Sequence, residues 1–148
     1  MCIGISAIAL QRGNNKLLFK SGINSHEKIR DAFGISDYRT NEQVNLEARP
    51  TGDFIADPWK IRIDHDEGGV PQWFLDKQKL IESNFMEFVE REILEIKKTN
   101  KYNGYLDLSG CTGLTSIPAL TADKINLSGC TGIKRESIPK GIIDKCIF

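Results

Sequence analysis

The 148-residue sequence has little that would mark an enzyme, a metal protein or a membrane protein. It carries only two histidines and four cysteines, at positions 2, 111, 130 and 146, and no C-x-x-C spacing. That excludes the common structural zinc motifs and is the usage of a reduced, cytoplasmic chain. Lysine plus arginine and aspartate plus glutamate both number 20, so the net charge is zero. A balanced chain of this kind is no general binder of nucleic-acid polymers. No apolar stretch approaches the roughly 18 residues of a membrane-spanning helix. The opening MCIGISAIAL is apolar, but no basic region precedes it and Gln11-Arg12 closes it, which reads as a first strand and not a signal peptide. No glycine-rich phosphate loop and no cofactor motif is present, and no cofactor is expected.

What the sequence does have is a repeat. LDLSGCTGL at 106–114 returns as INLSGCTGI at 125–133, with Cys111 and Cys130 19 residues apart (111 to 130). Leu106/Ile125, Leu108/Leu127 and Leu114/Ile133 share that offset. Ile117-Pro118 returns as Ile138-Pro139, two residues late, and Asp123-Lys124-Ile125 is echoed by Asp144-Lys145-Cys146. A period near 20 residues is the mark of a solenoid. Leu106 and Leu108 alternate with Asp107, as in a short strand with one buried side. Ser109-Gly110 then turns the chain. Cys111 is small enough to face inward there, with its S–H near a backbone carbonyl.

This pattern over 104–148 resembles the leucine-rich repeat, in particular the short bacterial kind with an Ile-Pro or Leu-Pro return segment. Cys111 and Cys130 match the position that family fills with Asn or Cys. Two repeats and a partial third fall short of the three or so that bury a continuous core, so both ends need cover. Ile81, Phe85, Phe88, Val89, Ile93 and Ile96 recur at helical spacing and place one long amphipathic helix over 73–100, able to cover the first end. The last strand, Cys146-Ile147-Phe148, is expected to leave an open edge, and open edges pair. That makes these three residues a candidate interface, with a second copy of the chain as one partner.

Ahead of the helix, residues 1–72 read as a small α+β domain. Ile3 to Ala9 form a strand buried on both sides, and Gly13-Asn14-Asn15 turns it into Leu17-Leu18-Phe19. Asn24 caps a short helix with Glu27 completing a capping box, and Gly34 ends it. Val44 to Ala48 and Trp59 to Ile63 alternate as two half-buried strands. The order β-β-α-β-β-α implies a small, mostly antiparallel sheet with helices on one side, followed by 101–148 as two and a partial repeat. SHEKIRDAFGI, NLEARP and WKIRIDHDEGGVPQWF, within 20–75, are similar to the amino-terminal part of small uncharacterised phage and bacterial proteins that can carry repeat tails. That resemblance implies a phage or prophage accessory protein.

Three constellations bear chemistry. Ser25 and His26 open a helix whose backbone N–H groups can hold an anion. Arg49 and Arg62 could join them, and Trp73 could stack on a base. That set implies a small nucleotide or other anion as ligand. Asp64, His65 and Asp66 offer metal-binding side chains, although Leu75 stands where a calcium loop needs Glu. Cys2 would be the amino terminus after methionine removal. In that position it resembles the nucleophile of N-terminal-nucleophile hydrolases and class II glutamine amidotransferases. Those enzymes have a far larger fold and a Gly where this chain has Ile3. The reading adopted is a non-catalytic, cytoplasmic binding protein with a counter-defence role, which sequesters a small nucleotide signal or blocks a host protein. A hydrolase or transferase using Cys2, and a structural protein that oligomerises through its repeat edge, are the alternatives.

Overall fold

A computed structural model describes residues 4–11, 16–21, 25–35, 42–64 and 69–148. The chain is α+β: the described residues form two α-helices and a small sheet containing antiparallel pairs. No described helix is long and apolar enough to cross a membrane. Contacts divide the chain into two units: Met1–Ala48 with Ile61–Val89, and Arg49–Lys60 with Glu90–Phe148. The second unit thus takes a piece from the middle of the sequence, whereas a reading along the chain breaks it after 72 and after 100.

The first unit is built on strands β1 (Ile5–Leu10), β2 (Lys16–Leu18), β3 (Gln43–Pro50) and β4 (Trp59–Asp64), in the order β2-β1-β3-β4. The last residues of β3 and the first of β4 lie in the second unit. β1 runs antiparallel to both neighbours, with Ile8 opposite Leu18 and opposite Asn45. Every residue of β1 is buried, as its apolar composition requires. The short helix α1 (His26–Ala32) lays Ile29 on Ile8, Leu10 and Leu18. The long helix α2 (Gln72–Thr99) stacks Phe88 on Phe19, ring centroids 4.1 Å apart.

Two expectations are corrected here. β3 is not half-buried, because it sits inside the sheet and Asn45 and Glu47 are covered as well as Val44, Leu46 and Ala48. The two central strands, β1 and β3, are therefore covered on both sides. The cap of α1 is Ser25, in extended conformation, whose Oγ accepts from the Lys28 N–H. That places Glu27 one position short of a capping box. Gly34 does close the helix, at φ +66, a conformation that suits a residue without Cβ.

In the second unit, β5 (Tyr105–Asp107), β6 (Lys124–Asn126) and β7 (Cys146–Ile147) form a parallel ladder, one strand per sequence repeat. Leu106 pairs with Ile125 and Ile125 with Cys146, the offsets of the sequence repeat. Each turn after a strand is made the same way. Asp107 Oδ1 accepts from the Ser109 N–H and Oγ–H, and Asn126 Oδ1 accepts from those of Ser128. The ladder continues past the strands through Leu108 N–H to Asn126 O and Gly110 N–H to Ser128 O. Leu106, Leu108, Leu114, Leu120, Ile125 and Leu127 fill the interior.

The piece from the middle of the sequence, 51–58, is an extra layer on the first repeat. Its Thr51-Gly52 repeats the Thr-Gly of 112–113 and 131–132. A Cβ on Gly113 would lie 3.0 Å from Thr51 O, and one on Gly132 would lie 2.6 Å from Thr112 O. The three Thr-Gly turns therefore stack in series. The Thr115 N–H donates to Gly52 O, the Phe54 N–H to Ser116 O, and the Ser116 hydroxyl to Asp53 Oδ2. Asp53 Oδ1 accepts from the Ile55 and Ala56 N–H groups. Phe54, fully buried, accepts from the Trp59 indole at its carbonyl.

Gly132→Ala should destabilise the chain by about 1–3 kcal/mol, since a methyl group there meets backbone that cannot swing aside. Gly141→Ala, with nothing within 4 Å, should change stability by less than about 0.5 kcal/mol in urea unfolding. The Ser116 hydroxyl and then the Ala56 and Ile55 N–H groups hold the Asp53 carboxyl below its ordinary 3.8. A depressed carboxylate stabilises the fold above its unfolded value, and that contribution disappears as pH falls through the folded value. Asp53→Asn should therefore cost stability at pH 7 and narrow its gap to the natural chain below about pH 4, as read by thermal unfolding across pH.

Candidate functional site

The ligand residues expected from sequence are distributed over both units. Ser25, His26, Arg62 and Trp73 belong to the first and Arg49 to the second. Ser25 uses its hydroxyl as the helix cap. His26 is buried at 3 % exposure, and its Nε2–H donates to the Leu46 carbonyl at 2.9 Å. Its ring is thus turned onto β3. Arg62 is exposed on β4, Arg49 is half-buried near the end of β3, and Trp73 meets Phe74 edge-on at the start of α2. Cys2, His65 and Asp66 lie outside the described residues, as does the side chain of Asp64. Among the described residues, no three His, Cys, Asp or Glu side chains gather as metal ligands do.

What sequence reading missed is a polar layer under α1. The helix turns His26, Ile29 and Arg30 inward, while Glu27, Lys28, Asp31 and Ala32 are exposed. Ile29 rests on Ile8 and Leu10, whose partners across the strand pair are Asn45 and Gln43. Residues directly opposite in an antiparallel pair project to the same side. Ser6, Gln43, Asn45 and Glu47 therefore share the side of the sheet that α1 covers, and all four are buried. The signal in the sequence was the alternation of Gln43, Asn45 and Glu47 with Val44 and Leu46. It reads as a solvent-facing side unless a helix is known to lie over it.

The cysteines of the tail have structural surroundings. Cys111, Cys130 and Cys146 are free thiols. The Cys130 S–H donates to Leu108 O of the preceding repeat at 3.0 Å, and the Cys146 S–H to Ile142 O at 3.3 Å. Burial pushes the Cys130 thiol above its usual value; the Cys111 N–H pulls against this and the Asp107 charge adds to it. Burial and then the Asp144 charge raise Cys146. A raised thiol is a poor nucleophile because the thiolate is the reactive form.

The outward side of the ladder is the second place where side chains converge. Tyr105 pairs with Lys124, and Asp107, Asn126 and Ile147 line up across the three strands. Tyr105 and Ile147 are exposed. Of the candidate interface residues, Ile147 and Phe148 are exposed and Cys146 is half-buried. The Arg135 guanidinium lies 4.4 Å from the centre of the Phe148 ring, a contact that ties Phe148 to the preceding repeat. Comparison of the chain with protein families, with curated proteins and with solved structures gives no match.

Native protein treated with iodoacetamide at pH 8 should label Cys130 roughly tenfold or more slowly than the urea-unfolded chain does. Cys111, at 4 % exposure, should behave likewise. Peptide mass mapping reads both, and labelling of either at the unfolded rate would contradict the buried-thiol geometry.

Proposed function

We propose that the chain is a non-catalytic, cytoplasmic binding protein of the phage or prophage accessory kind, acting in counter-defence. In this reading its tail is a short leucine-rich-repeat-like solenoid that blocks a host protein. The observation that carries it is the parallel ladder β5-β6-β7, in register with the sequence repeat. Stacked repeats turn equivalent positions of successive strands into one continuous surface, and solenoids bind through such surfaces. Here that surface pairs Tyr105 with Lys124 and sets Ile147 beside Asn126. An exposed aromatic and an exposed aliphatic side chain among polar neighbours have the composition of an interface centre. The carbonyl-bonded thiols of Cys130 and Cys146 support a structural use of the tail's cysteines over a catalytic one.

Sequestration of a small nucleotide signal is the second reading, and the buried polar layer under α1 favours it. Self-association through Cys146, Ile147 and Phe148 is a third use of the tail. The Arg135–Phe148 contact competes with it.

The test is affinity capture from bacterial lysate with the natural chain and with Tyr105→Ala/Ile147→Asp. A protein captured by the first should be lost by the second, with a cost of about 2 kcal/mol or more, roughly thirtyfold in Kd. Equal capture by both would remove the ladder surface from the proposal. Light scattering that shows a dimer broken by the same double substitution would move the tail to self-association.

A further inference from the structure

We propose that Arg30 is the anchor of a phosphate-binding site between α1 and the sheet. Arg30 is 7 % exposed, and among the described residues neither its Nε nor its Nη1 has a hydrogen-bond partner. A buried guanidinium cannot escape this by losing its proton, because arginine stays charged in proteins. Buried charges are held where they are paired, and an unpaired one is among the costliest features a fold can carry. An anion that enters to meet those N–H groups removes the cost. The unpaired donors are thus themselves the indication of a ligand.

The geometry locates the site. Arg30 follows His26 by four residues, so the two share one side of α1. His26 is tied to Leu46 O, and Ile29 lies over Ile8 and Leu10. The helix therefore runs from the level of Leu46 toward that of Gln43, and Arg30, about 6 Å beyond His26 along the axis, comes over that end. Gln43 and Asn45, both buried, lie on the side of β3 that α1 covers. Glu47 lies at the far end of the same side, about 13 Å along the strand from Gln43. A buried cation beside neutral amide side chains suits a phosphoryl group, whose oxygens outnumber those of a carboxylate. The phosphate of a free inorganic ion and that of a nucleotide share this chemistry. The nucleotide source rests on the sequestration reading above; the site itself does not.

Thermal unfolding at constant ionic strength decides it, with inorganic phosphate, inorganic pyrophosphate, AMP, cyclic AMP and acetate as probes. The natural chain should show a saturable rise in Tm with phosphate and none with acetate. Arg30→Met should abolish the rise, and Arg30→Lys should retain part of it at higher phosphate. Without phosphate, Arg30→Met should be at least as stable as the natural chain, because an unpaired buried charge has gone. A Tm that falls in Arg30→Met while the phosphate response persists would overturn the site and make Arg30 structural. No response to any probe would also overturn it. A response to phosphate or pyrophosphate alone would keep the site and refute nucleotide sequestration; a tighter response to AMP or cyclic AMP would support both.

Discussion

The tail depends on one constraint: each repeat must lie against the next closely enough for backbone to touch backbone. A repeat of about 20 residues cannot bury its apolar side alone. At the Thr-Gly turns the approach is close: a Cβ on Gly113 or Gly132 would meet carbonyl oxygens of the layer before. The rest of the tail follows from that spacing. At strand distance the Cys130 thiol reaches Leu108 O, the ladder continues past the strands, and Leu106, Ile125 and Cys146 fall into line. The Asp107 and Asn126 side chains satisfy the turn that a strand-to-return bend would otherwise leave open. Asp and Asn are interchangeable there because only one oxygen, Oδ1, is used.

The same constraint explains why residues 51–58 leave the strand layer to join the repeats. A first repeat with nothing against it would expose Leu114 and Ile117, both of which are buried. Thr51-Gly52 supplies a turn of the same make, and Asp53 fastens it by accepting from Ser116 and from two N–H groups of its own loop. The loop costs little to order because its own side chains satisfy it: Asp57 accepts from the Asp53 N–H, and the Thr51 hydroxyl donates to Pro58 O.

The sheet unit is organised by a different imbalance. One side of β1 and β3 is apolar, from Ile5 and Ala7 to Val44 and Leu46, and asks only for packing. The other mixes Ile8 and Leu10 with Ser6, Gln43, Asn45 and Glu47, yet is just as dry. Polar groups removed from water must find partners or be repaid elsewhere. His26 finds Leu46 O, and Arg30 keeps two N–H donors, at Nε and Nη1, without a partner among the described residues. A structural core of this size gains nothing from such a residue, which is why it carries the argument for a ligand.

The repeat period, the long helix over 72–99 and the glycine that ends α1 were legible in the sequence. Each is a local pattern: identical residues at a fixed offset set the register of the ladder, and apolar residues at helical steps set the limits of α2. The third Thr-Gly, at 51–52, was equally visible but stood 61 residues from the next (51 to 112), outside any period. Which sides of the strands are dry was not legible, since Asn45 and Glu47 alternate with apolar neighbours as solvent-facing residues do. Only the placement of α1 over that side buries them. The burial of Arg30, and with it the candidate site, is likewise a property of two elements brought together, one from 26–32 and one from 43–50, and no single stretch of sequence contains it.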